Sequence, residues 1–385
     1  MQVPEQYQGR EQSYLKHRVL KEYLLAWGHK LGSAAQKRGR VRLCYVDGFA
    51  GPWQAKDADL ADTSIAIGLE ALETAAATWR DHGYPIDVDA YFVEKDPRAF
   101  ASLECFLKKR PEGLVRAQAY NGEFGTRVDS IRQLLGKDAG FIFVDPTGWK
   151  GAAMHFIAPL LADSPQRDVL VNVMFDHINR FKDDPRQFLR EQMREFFGLG
   201  DGEMPPALSE EELFALYRRQ LKMQCGVKYA ADLAIPHPTV ERTKFRLVVG
   251  GNNPAVLEVF RDAERKVIGT EAASVREHAA LRAKEEKTGQ LTLLATPPVT
   301  DSHYESLHAR ARAQAPQDVL ARLTAVKWIG FGELWPELLE AHHVTRTELG
   351  QLIWKMYKQS EICILNVKDG ERSVKDEHRL AVSTR

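Results

Sequence analysis

The chain has few cysteines and no pattern among them. Its four, at positions 44, 105, 225 and 363, lie far apart without a Cys-x-x-Cys spacing. Neither a zinc site, nor any other metal site, nor a disulfide framework is expected, and a reducing cytoplasm suits the chain. No run reaches the roughly 18 apolar residues of a membrane helix, so no membrane span is expected. The first residues, MQVPEQYQGREQSYLKHR, lack the apolar centre of a signal peptide. Net charge is missing too: 53 Lys and Arg balance 53 Asp and Glu. A nucleic-acid surface would therefore be a local patch. Two phosphate cradles, Gly-x-Gly-x-x-Gly and Gly-x4-Gly-Lys-Ser/Thr, are absent, which argues against NAD and ATP.

What is present is an ordinary globular composition, 44% hydrophobic and 28% charged, over 385 residues, enough for two or three domains. Strand-like and helix-like stretches alternate through the first two thirds. Leu15, Val19, Tyr23, Trp27 and Leu31 recur every four residues and predict a helix over 12–32. Its charged Lys16, His17, Arg18 and Lys21 are expected on the solvated side of a helix covering the sheet, with Lys16 or His17 facing a pocket as the less favoured alternative.

Apolar runs at 41–46, 88–94, 114–119, 140–144 and 169–175 predict five strands, each followed by a helix pattern. Continuous apolar runs such as Gly140-Phe141-Ile142-Phe143-Val144 suit strands buried on both faces of a parallel sheet. Residues 183–225 read as a helical insertion. Runs at 227–235 and 245–249 read as a hairpin closing the sheet. The expected fold is α/β, a doubly wound and mostly parallel seven-stranded sheet over residues 1–270. Residues 271–316 read as a connector, moderately helical to about 286, with a short strand near Leu291–Leu294. Residues 317–385 read as a winged helix-turn-helix: three helices, a strand at 362–367, a two-residue Asp369-Gly370 turn and a second strand.

The stretch with chemistry is Tyr45–Trp53, YVDGFAGPW. A buried strand ends there in Asp47 and enters a loop in which Gly48 and Gly51 bracket Phe49-Ala50. Ligands of open α/β sheets bind at this carboxyl edge. Glu94, at the end of the second strand, can accept hydrogen bonds from ribose hydroxyls. Glu123, after the third strand, lies at the same edge. With phosphate cradles missing, a cofactor without phosphates fits, and S-adenosylmethionine is the expected one. Asp47, Gly48, Phe49, Gly51, Glu94 and Glu123 form the candidate cofactor site. Asp145-Pro146-Thr147-Gly148, after the fourth strand, stands where a transferase presents its acceptor. There a carboxylate and a carbonyl can orient an exocyclic amine for in-line methyl transfer. Trp149, Phe49 or Trp53 could stack on a flipped base, with packing as the other reading of Trp149. Arg346, Lys355, Lys358 and Arg372 supply positive charge on the expected recognition helix and wing, a candidate nucleic-acid surface.

These motifs resemble the three-Cys-motif partner proteins. The resemblance rests on KHRVLKEYLLAW (16–27), YVDGFAGPW, YFVEKDP, FIFVDPTGWKG, Asn179-Arg180, the late hairpin and the C-terminal wing, with a gap at the helical insertion. It implies a class I methyltransferase-like fold and a bacterial, phage or mobile-element setting. It also implies a partner protein with a three-cysteine motif, similar to radical S-adenosylmethionine enzymes related to photoproduct lyases, and hence work on DNA in repair or modification. Trp53 stands where the family's loop has its last glycine, and Asp145-Pro146-Thr147-Gly148 lacks the second proline and the aromatic of amino-methyltransferase motifs. Two functions follow as expectations: a nucleic-acid methyltransferase, or a DNA-binding adaptor that no longer transfers methyl groups.

Overall fold

The computed structural model describes residues 3–51, 62–181, 184–200, 204–205, 207–288 and 302–383. Seven strands form one sheet: β1 Arg42–Asp47, β2 Asp87–Glu94, β3 Val115–Asn121, β4 Ala139–Val144, β5 Arg167–Val173, β6 Tyr229–Pro236 and β7 Thr243–Gly251. Their order is β3-β2-β1-β4-β5-β7-β6. The pairs from β3 to β5 are parallel, and β7 runs antiparallel to both neighbours. This is the mostly parallel, doubly wound sheet of a class I methyltransferase-like fold. The chain reverses direction across the sheet between β1 and β4, the switch point at which ligand crevices open beyond the carboxyl ends of the strands.

Side-chain alternation on β1 divides the core. Leu43 and Tyr45 join one apolar cluster with Tyr23, Leu69 and Phe141. Cys44 and Val46 join the other with Ile142, Ile157 and Phe214. The first face is covered by α1 Glu11–Gly32, α3 Ser64–Asp81 and, beyond β7, α10 Ala255–Lys266, with a short α2 Ala35–Arg38 after α1 and α4 Pro97–Lys109 after β2. The second is covered by α5 Phe124–Leu135, α6 Met154–Ala162, α7 Phe175–Phe181, α8 Gln187–Phe196 and α9 Glu210–Cys225. Polar side chains fix where helices start. Asp96 accepts from the backbone N–H of Arg98 and Ala99, and Ser209 with Glu212 closes a capping box on α9.

The stretch read as a connector, moderately helical to about 286, holds helices. A π-helical turn, Val267–Glu271, leads into α11 Ala272–Thr288, and α12 spans Ser302–Thr324. The helix expected to begin near 317 is the last third of α12. The buried residues of α11 are mostly small ones, Ala272, Val275, Arg276 and Ala279, so its apolar period is weak. The strand expected at 291–294 lies outside the described residues. After α12 come β8 Ile329–Gly330, α13 Phe331–Ala341, α14 Arg346–Lys358, β9 Ile362–Ile364 and β10 Arg379–Val382. The last three strands form an antiparallel sheet in the order β8-β10-β9.

The Asp369-Gly370 pair is not a two-residue hairpin, because β9 ends at 364 and β10 begins at 379. Glu371 folds the intervening loop on itself. Its carboxylate accepts from the Lys368 backbone N–H (2.8 Å) and Lys375 Nζ (2.6 Å), and meets His378 Nε2 at 3.0 Å. These bonds outweigh the local turn preference. The C-terminal elements pack directly on the sheet domain. Arg261 donates to the Leu339 carbonyl (2.9 Å), and the Ala230 N–H donates to Glu340 (2.7 Å).

Candidate functional site

A cavity of about 370 Å³ opens at the switch point. That is within the usual size of a small-molecule site, about 300–1,000 Å³. Gly48 and Phe49 line it from the loop after β1, Val93, Glu94 and Lys95 from the end of β2, and Gly122, Glu123 and Phe124 from the end of β3. Asp145, Thr147, Trp149 and Lys150 follow β4, and Gln192 with Glu195 come from α8. Four carboxylates face two lysines across apolar walls of Phe49, Phe124 and Phe156, a lining suited to a cationic ligand with an aromatic part.

The loop after β1 is fixed from below. Ala50 N–H donates to the Val93 carbonyl (2.8 Å) and Gly48 N–H to the Phe143 carbonyl (2.9 Å). Asp47 is fully buried and accepts from Phe49 N–H (3.1 Å) and Ser64 Oγ (2.6 Å). Burial raises its pKa to about 7, against these hydrogen bonds and the Lys16 charge. Asp47 is expected from the sequence to touch the cofactor; it ties the loop to the start of α3 instead and is not among the lining residues. Gly51 is likewise outside the lining. Gly48 is required sterically, since a Cβ there would sit 2.7 Å from the Phe124 ring. Phe124 is itself a wall of the cavity, and Trp53 lies outside the described residues.

Glu94 is where the sequence reading puts it. It is buried, lines the cavity, and accepts from the Asp96 N–H at 2.6 Å. Burial raises its pKa, partly offset by that backbone bond. The carboxylate position at the end of β2 and the apolar flanks fit the ribose and base of a nucleoside. The acidic lining fits the charge of a sulfonium. The residues present therefore suit S-adenosylmethionine, whose hydroxyls Glu94 would hold.

Asp145 lines the cavity, and both its oxygens have partners. Its Oδ1 accepts from Asn172 Nδ2 (2.6 Å), and its Oδ2 is paired with Lys16 Nζ. The Lys16 side chain is only 10% exposed. The reading of a solvated charged face on α1 is corrected at this position: α1 sends Lys16 inward to neutralise the acid at the end of β4. His17 is buried as well and bonds Tyr7 Oη (2.9 Å). Pro146 is buried and its carbonyl accepts from Gly148 N–H (3.0 Å), so it closes the turn rather than pointing free. Trp149 is a wall, not an open platform. It is 5% exposed, its ring lies 4.6 Å from His177 and 5.9 Å from Phe181, and its Nε1 donates to Gln192 Oε1 at 3.3 Å.

Sequence reading missed Asn172, Gln192 and Glu195. Asn172 carries a signal in retrospect, as the one polar residue inside the apolar run VLVNVMF. Gln192 and Glu195 carry none, because nothing in the local pattern of α8 says that the insertion folds back over the cavity.

On the C-terminal part, Lys355, Lys358 and Arg372 are exposed. Arg346 is not free. It pairs with Asp376 (2.6 Å) and Glu258 (3.4 Å) and lies over the Trp335 ring at 4.7 Å, which makes it a tie between α14, the late loop and α10.

No family model matches the chain, and no curated protein matches it in sequence. Among solved structures it is similar to a Legionella pneumophila protein, 12% identical over 66% of this chain and 89% of that one, with a TM-score of 0.35. It is also similar to a spermidine synthase in complex with a transition-state analogue, 10% identical over 72% and 74%, TM-score 0.35. A third is human methyltransferase-like protein 13 in complex with SAH, 13% identical over 66% and 92%, TM-score 0.33. At such scores these likenesses carry no weight on substrate or reaction. Among the described residues no helix is long and apolar enough to cross a membrane.

Proposed function

We propose that the chain binds S-adenosylmethionine in the switch-point cavity and transfers its methyl group to a nucleic acid, DNA in the first instance. The observation that carries this reading is Glu94, a buried carboxylate at the end of β2 lining a cavity of about 370 Å³, in a sequence with neither phosphate-cradle motif. The bound cofactor supplies an electrophilic methyl on a sulfonium. Glu94 orients the nucleoside part, the acidic lining favours the positive sulfur, and Trp149 with α8 walls off the acceptor end. Lys355, Lys358 and Arg372 supply phosphate contacts on the C-terminal part, read as a winged helix. The family resemblance adds a radical S-adenosylmethionine partner and a setting in DNA repair. The test is transfer of labelled methyl from S-adenosylmethionine to single- and double-stranded DNA and RNA. Label in DNA supports the reading, and none in any of them counts against it.

A second reading is favoured by one observation, the occupation of both Asp145 oxygens by Asn172 and Lys16. In that reading the chain binds DNA for its partner and transfers nothing. DNA binding that is unaffected by the cofactor, with no transfer, would favour it.

A further inference from the structure

We propose that His177, at the start of α7, is the base that takes the proton from the methyl acceptor. The proposal rests on the methyl-transfer reading above. An acceptor N–H or O–H has to lose its proton as the new bond to carbon forms. The acid of the Asp145 turn is poorly placed to receive it, since both its oxygens are engaged and one faces an ammonium. The Pro146 carbonyl is spent on Gly148. Asp176, beside His177, is held by Arg242 and Lys244, each at 2.8 Å.

The imidazole of His177 has no hydrogen-bond partner among the described residues. Its ring is clamped between Trp149 (4.6 Å) and Phe181 (5.0 Å), which orients it without using either nitrogen. Its Nε2 stands 3.4 Å from where a Cβ on Gly148 would be. Gly148 has φ +116°, so the turn passes the imidazole at a residue with no side chain to cover it. The half-buried ring lies outside the lining itself and packs on Trp149, beside the turn whose Thr147 and Trp149 line the cavity. Burial, then the Arg180 charge, lower its pKa, which favours the neutral imidazole able to accept a proton. The other charges around it are the Asp176–Arg242–Lys244 cluster and the Asp145–Lys16 pair that opens the same turn. In the step, the acceptor's X–H bond breaks and the proton goes to the imidazole. The lone pair of X forms the X–C bond, and the C–S electron pair stays on sulfur. The imidazolium then returns its proton to water.

The test uses the full chain with a single-stranded oligodeoxynucleotide. NMR of labelled histidine rings, with His177 assigned by its loss in His177→Gln, is expected to give a titration midpoint below 6.5 and a shift of that ring on adding the oligonucleotide. His177→Gln is expected to slow transfer about 100- to 10,000-fold. It should also abolish the rise of rate with pH through that midpoint, with cofactor binding by calorimetry unchanged. A ring charged at pH 7, or a His177→Gln rate and pH profile like wild type, overturns the assignment alone. So does a pH step that disappears in Glu195→Gln instead. Wild type that binds S-adenosylmethionine but transfers nothing overturns the assignment and the methyl-transfer reading together.

Discussion

Replacing Lys16 with methionine tests the inward ion pair that reshapes the acceptor end of the cavity. The Lys16 and Asp145 side chains are 10% and 16% exposed, so their attraction is little screened by water. Removing one partner of a buried ion pair costs about 3–5 kcal/mol, mostly by stranding the other charge. Asn172 still donates to Asp145 at 2.6 Å, and the cavity gives the carboxylate some access to water. The expected loss for Lys16→Met is therefore at the low end, about 3 kcal/mol. Adding Asp145→Asn removes the stranded charge, and the double variant should recover about 2 kcal/mol of that loss, a coupling typical of contacting residues. Urea unfolding of the four proteins, extrapolated to water, reads both quantities. Lys16→Met within about 0.5 kcal/mol of wild type, the scatter of ordinary surface changes, would refute the pair.

Asp168 is buried, accepts from Tyr23 Oη (2.9 Å), and has its pKa raised to about 7 by burial. The unfolded chain releases that proton near pH 4, so the folded state binds it more tightly and stability falls as pH rises from about 4 to about 7. Asp168→Asn should therefore stabilise more at pH 8 than at pH 4; an equal effect at both, by denaturation, would contradict this. Gly48→Ala should weaken cofactor binding about tenfold by pushing Phe124 into the cavity, and undiminished affinity would show that the loop yields elsewhere. Arg346→Ala should lower stability by about 1–2 kcal/mol through its lost ion pairs and its place over Trp335, which denaturation reads directly. Reversing Lys355 and Arg372 should leave stability unchanged yet weaken DNA binding and flatten its dependence on salt.

The sheet was legible because buried parallel strands must be apolar on both faces. Gly140–Val144 and, apart from Asn172, Val169–Val173 are such runs, and each is read within a residue or two. The acids that end the strands were legible as well, but their partners were not. Asp47 and Asp145 look alike in sequence. One is consumed by a loop and by Ser64, the other by a lysine 129 residues away. Pairings at that separation leave no local trace, and a charged residue on an amphipathic helix reads as solvated until its neighbours are known. Arg346 misled in the same way, a cation at the start of a capped helix that is committed to Glu258 and Asp376. The Asp369-Gly370 turn failed because Glu371 gathers three donors from its own loop, and a four-residue preference does not foresee them.

The most direct test of the account is calorimetry of S-adenosylmethionine on the wild-type chain and on Glu94→Ala. Wild type should bind with one site per chain. The variant should bind about 10- to 100-fold more weakly, the loss of hydrogen bonds to a charged acceptor worth about 1.5–3 kcal/mol. No binding by wild type at millimolar cofactor, or equal affinity in Glu94→Ala, would contradict the claim that the switch-point cavity is a cofactor site.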